Sequence, residues 1–74
     1  MTREQMKALL RRADQHSADG YYRLAVLLRR RVRAAIMQEL QETEMGEVLV
    51  QLTGAKYALL RDEMDYEALI GVEG

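Results

Sequence analysis

The sequence predicts an all-α fold in which a short N-terminal helix precedes a long antiparallel helical hairpin, closed as a three-helix bundle or as an intertwined dimer. Three observations carry that expectation. The 74 residues contain no proline and are rich in Leu, Ala, Arg, Glu and Gln, which favour helix. Apolar residues recur at steps of three and four in three successive stretches, the spacing that lines one side of a helix. Turn-forming residues fall between those stretches, at residues 17–20 and at Gly46.

The first helix is expected over about residues 3–16. Thr2 followed by Gln5 has the spacing of a capping box, in which each side chain bonds the backbone N–H of the other residue. Met6, Leu9, Leu10 and Ala13 then form one apolar side. Ser17, Ala18, Asp19 and Gly20 supply turn chemistry, with Asp19 expected to cap the next helix.

The second helix is expected over about residues 20–44, roughly 37 Å long at 1.5 Å per residue. Tyr21, Ala25, Leu28, Val32 and Ala35 step 4, 3, 4, 3 along it, the seam of a coiled-coil-like contact. Leu24, Ile36 and Leu40 widen the stripe. Glu39, Glu42 and Glu44 near its end carry the wrong sign for a helix C-terminus, so a basic neighbour is expected there.

The third helix is expected over about residues 47–70, against an alternative in which residues 46–54, with Val48, Val50 and Thr53, form a strand. Val48, Leu52, Ala55, Leu59, Asp62, Tyr66 and Leu69 step 4, 3, 4, 3, 4, 3 without interruption, which favours helix. Gly54 and Ala58, one turn apart, would allow another helix to approach closely, and Gly71 is expected to end the helix. All 74 residues then form a single helical domain.

A formal net charge of −1 conceals two opposed halves. Residues 1–37 carry nine bases and three acids, a balance of +6, and residues 38–74 carry two bases and nine acids, a balance of −7. Folding the second and third helices together would bring Asp62, Glu63, Asp65 and Glu67 within reach of the arginine run and of Arg23. Exposed ion pairs of that kind contribute only about 0.2–1 kcal/mol each. Folding the first helix antiparallel onto the second through residues 17–20 would bring Arg3 and Lys7 toward Arg30 and Arg33, a repulsion relieved only if the first helix also lies against the acidic third helix or packs on another chain.

Composition narrows the function. The absence of cysteine excludes disulfides, thiolate nucleophiles and cysteine-based zinc sites, and is in keeping with a reducing, cytoplasmic setting. No apolar run exceeds five residues, so neither a membrane span nor a signal peptide is expected. His16 is the only histidine; no catalytic set, phosphate loop, metal site or cofactor site is expected. A domain this small buries only about 60% of its unfolded surface, and many such chains need a partner.

The features left are those of recognition. Arg29, Arg30, Arg31 and Arg33 cannot all share one helix side, so at least two are expected to face solvent or a partner, and arginine suits bidentate contact with carboxylate or phosphate. Tyr21 and Tyr22, adjacent at the start of the second helix, must face different directions, and tyrosine is enriched at interface hot spots. Met37 joins them as an adaptable contact. The expected partner-binding residues are therefore Tyr21, Tyr22, Arg29, Arg30, Arg31, Arg33 and Met37. The expected self-association seam is Ala25, Leu28, Val32 and Ala35 with Val48, Leu52, Ala55, Leu59 and Tyr66. The function expected is that of a non-enzymatic, self-associating interaction module, a homodimer that binds a larger protein as adaptor, accessory or inhibitor. The alternative is a small nucleic-acid-binding regulator that uses the run from Arg29 to Arg33.

Leu49, Gln51, Leu52, Gly54, Ala58, Leu59, Leu60, Arg61 and Asp62 resemble a pattern in the second helix of small helical-hairpin proteins of tailed bacteriophages. The resemblance covers about fourteen residues, and the sequence departs from it at Ala55 and Lys56 and in its more basic preceding helix. It implies a phage-encoded accessory or morphogenesis protein acting through protein contacts.

Overall fold

A computed structural model of the chain describes residues 1–41 and 46–73, the side chains of Glu47, Val72 and Glu73 excepted. Three helices follow one another: α1 (Arg3–Ala18), α2 (Tyr22–Leu40) and α3 (Glu47–Glu73). Among the described residues there is no strand. The strand alternative for residues 46–54 is thereby removed. Leu49 and Thr53, one helical turn apart, both turn inward, and the Thr53 hydroxyl donates to the Leu49 carbonyl at 2.7 Å. That bond satisfies the hydroxyl of a residue only 5% exposed, and its reach to the residue four positions back is the helical pattern.

The ends of α1 are fixed by local chemistry. At its start the Gln5 N–H donates to Thr2 Oγ1 at 3.1 Å and the Thr2 N–H donates to Gln5 Oε1 at 2.8 Å, the full capping box. At its end Gly20 takes a positive φ of 88°, which only glycine adopts without strain. The Tyr21 N–H then reaches the His16 carbonyl at 2.7 Å and the Gly20 N–H reaches Ser17 at 3.1 Å, a complete Schellman closure. The His16 and Tyr21 rings meet edge to face at 6.4 Å, covering the closure with an aromatic contact. Asp19 does not cap α2 as expected. It is the C-cap of α1, where its carboxylate accepts from Gln15 Nε2, and the Schellman closure leaves Tyr21 as the N-cap of α2 without a side-chain bond.

Two other boundaries differ from expectation. The described part of α2 ends at Leu40, and residues 42–45, with Glu42, Glu44 and Met45, lie outside the described residues. At the other end α3 runs through Gly71 to Glu73. Gly71 does not take the left-handed conformation that ends a helix, so its presence only lowers helix propensity there.

The core sits on α2, which packs against both α1 and α3. Met6 and Leu10 of α1, Val32, Ile36 and Leu40 of α2, and Leu60 and Met64 of α3 form one buried cluster, with Leu9, Leu49, Leu52 and Tyr57 packed at its margin. Ala13 and Ala25 are completely buried near the first turn, where small side chains let α1 and α2 approach closely.

Charge joins α1 to α3. Lys7 is only 1% exposed, and its ammonium donates to Glu67 at 2.6 Å and to Glu63 at 2.9 Å. Arg3 also pairs with Glu63, and Arg11 lies 3.5 Å from Glu67. On the other flank Asp14 accepts from Arg61 of α3 at 3.0 and 2.9 Å and from Arg29 of α2 at 3.3 Å, so one carboxylate ties all three helices. The expected pairing of the α3 acids with the arginine run and Arg23 is not what forms. Glu63 and Glu67 answer α1 instead, and Arg23 has no acidic partner among the described residues. The reason is burial: an exposed arginine can remain hydrated, whereas a sequestered ammonium needs carboxylates around it.

These contacts set a pH dependence. Hydrogen bonds from Lys7 and then Arg3 hold the Glu63 carboxyl below its ordinary value of 4.5, against the opposing effect of burial. Bonds to Glu67 and Glu63 hold Lys7 above its ordinary 10.5. A carboxyl with a depressed folded value contributes stability that is complete above 4.5 and lost as pH falls through the folded value. The raised lysine contributes stability that is complete below 10.5 and is lost only as pH rises through its folded value. The denaturation midpoint should therefore fall as pH drops below 4.5, and Glu63→Gln should flatten that acid limb while lowering stability at neutral pH; an unchanged limb in the variant would remove Glu63 from the account. Gly54 is an exposed helix-interior residue with nothing within 4 Å of an added Cβ, contrary to the close helix approach expected there. Gly54→Ala should stabilise the chain by about 1 kcal/mol in urea denaturation.

Candidate interaction surface

A helix advances about 100° per residue, so the four arginines of α2 divide among its sides. Arg29 is half-buried against Asp14, and the Arg33 guanidinium lies 4.4 Å above the centre of the Tyr57 ring, a cation–π contact between α2 and α3. Arg30 and Arg31 are exposed and meet no acid among the described residues. Thus two arginines hold the fold and two face outward. Tyr21 and Tyr22 are 61% and 67% exposed, and Met37 is half-buried.

The expected seam divides in the same way. Ala25 and Val32 are completely buried by the chain's own packing, and Leu28 and Ala35 are half-buried. The α2 portion is therefore taken up inside the chain. On α3, Leu52 is half-buried, while Val48, Ala55, Leu59 and Tyr66 are exposed, Leu59 at 62% and Tyr66 at 63%.

Thus α3 has two apolar sides. Leu49, Thr53, Tyr57, Leu60 and Met64 face the core with Leu52 at its margin, and Val48, Ala55, Leu59, Tyr66 and Ile70 lie roughly 130° around the helix from them. The uninterrupted heptad steps drew attention to the outer side. The inner one was obscured because Thr53 and Tyr57 break its apolar character, although its steps of 4, 4, 3, 4 are present in the sequence. Lys7, Glu63, Glu67 and Asp14 were not singled out as pairs, because nothing in a one-dimensional pattern announces a buried lysine.

At the beginning of α2, Leu24 and Leu27 are also exposed, at 48% and 54%. Lys56 and Leu59 also border an open cleft of about 310 Å³ against Met1, Met6 and Ile36. A compact monomer of 8.5 kDa exposes roughly 4,650 Å², whereas this chain exposes 5590 Å². The excess, about 900 Å² of polar and apolar surface together, reflects an open arrangement of the helices.

The described residues contain no group of three or more His, Cys, Asp or Glu placed to hold a metal ion. Among them no helix is long and apolar enough to cross a membrane. Comparison with models of known families, with curated proteins and with solved structures finds no match for this chain.

Proposed function

We propose that this chain is a non-enzymatic helical interaction module of the cytoplasm in which α2 and α3 form the arms of a hairpin. It associates with a second copy through the outer side of α3 and meets a larger protein through Tyr21, Tyr22 and the outward arginines of α2. The observation that carries this reading is the exposure of Val48, Leu59 and Tyr66, which lie in register on a helix whose opposite side already fills the core. Single exposed apolar residues are ordinary; a stripe several turns long is not. The resemblance of residues 49–62 to small helical-hairpin phage proteins accords with an accessory or morphogenesis role exercised through protein contacts.

Sedimentation equilibrium across micromolar concentrations tests the self-association. A concentration-dependent mass approaching twice 8.5 kDa is expected, and a stable monomer throughout sinks the idea.

A second reading, binding of nucleic acid, rests on Arg30 and Arg31 together with Arg12 and Arg23, which are exposed without acidic partners among the described residues. Phosphate contact predicts an affinity for duplex DNA that falls steeply with salt. The interaction module predicts no binding even at low salt, so a titration at two salt concentrations separates the two readings.

A further inference from the structure

We infer that the second copy docks with its α3 antiparallel to the first, Ala55 of each chain level with Tyr66 of the other and Lys56 of each opposite Glu63 of the other. This rests on the reading of the chain as self-associating and specifies the geometry of that contact.

The heptad along the outer side of α3 is interrupted once, at Asp62. In a parallel, in-register pair every seam residue meets its own copy, so two Asp62 carboxylates would face each other across an apolar contact, which like charges oppose. An antiparallel pair places seam residues in complementary layers. With Leu59 level with Asp62 of the partner subunit, Ala55 meets Tyr66 of the partner subunit, small against large. Leu52, half-buried at the margin of its own core, ends the seam, and neither carboxylate lies opposite its own copy.

The flank of the seam supplies the charge argument. Lys56 and Glu63 occupy the same edge of the stripe, one heptad apart, and in an antiparallel pair residues of like edge approach one another. Lys56 is exposed and has no acidic partner among the described residues. The Glu63 side chain keeps 34% of its surface exposed while bound to Lys7 and Arg3, so it retains room for a third cation. The twofold axis makes this contact twice. A parallel pair sets Lys56 nearest Gln51 of the partner subunit and forms no such ion pair.

The chain has no cysteine, so introduced thiols report without background. Ala55→Cys and Tyr66→Cys, both at exposed positions, are mixed in equal amounts and oxidised, with cross-links identified by mass spectrometry and mass followed by sedimentation. A disulfide needs Cα atoms within about 7 Å, and in the antiparallel register the two copies of residue 55 are separated by about 16 Å along the axis. A dominant 55–66 cross-link is expected, with little 55–55 or 66–66 product from either variant alone. Strong 55–55 and 66–66 products overturn the antiparallel geometry and leave self-association intact. A dimer by sedimentation without any of these cross-links places the contact on another surface and also overturns the inference. A monomer removes both this inference and the self-association beneath it. Independently, Lys56→Glu should raise the dimer dissociation constant about tenfold at low salt, with Lys56→Arg retaining the native value; an unchanged constant in Lys56→Glu overturns the ion pair.

Discussion

The three helices depend on one buried ammonium. Lys7 lies on the edge of α1 that faces α3, nearly inaccessible to solvent and held between Glu63 and Glu67. Taking a charge out of water is costly, and a lysine in that position is tolerable only while the carboxylates of α3 stay beside it. The requirement runs both ways: α1 cannot leave α3 without exposing Met6 and Leu10, and α3 cannot shift without stranding Lys7. Asp14 makes a matching demand on the opposite flank, where Arg29 and Arg61 converge. The apolar cluster supplies attraction without direction, and these two charged junctions fix where α1 sits.

That arrangement determines what remains outside. With α1 covering one flank of the core and α2 its centre, α3 closes it with Leu49, Leu52, Thr53, Tyr57, Leu60 and Met64. Its second apolar side is surplus to a monomer. The +6 and −7 halves follow the same division: Glu63 and Glu67 neutralise the first helix, Asp14 takes one arginine from each of α2 and α3, and Arg30 and Arg31 are left facing solvent. The exposed surface is therefore a residue of the internal pairing rather than an independent feature.

Local chemistry was legible in the sequence because it acts over a few residues. The Thr2–Gln5 box, the breaking role of Gly20 and the helical character of residues 47–70 each depend on spacing alone. The differences arise where two local motifs compete for one residue, or where a glycine meets no neighbour. Asp19 has the chemistry of an N-cap, yet the Schellman closure at Gly20 draws it into the end of α1. Gly54 and Gly71 have the composition of a packing site and a helix stop, yet no neighbour approaches the first and the second keeps helical backbone.

By itself the sequence determined an all-helical chain, a second helix with too many arginines for one side and a third helix with heptad steps whose one polar member is Asp62. Periodicity, capping and turn chemistry are properties of neighbouring residues, so they survive without knowledge of the fold. Which acid meets which base, and which of α3's two apolar sides lies inside, was decided only by tertiary structure. Both are choices among near-equivalent local options, and burial of Lys7, sixty positions from Glu67 along the chain but bonded to it in space, is what selects between them.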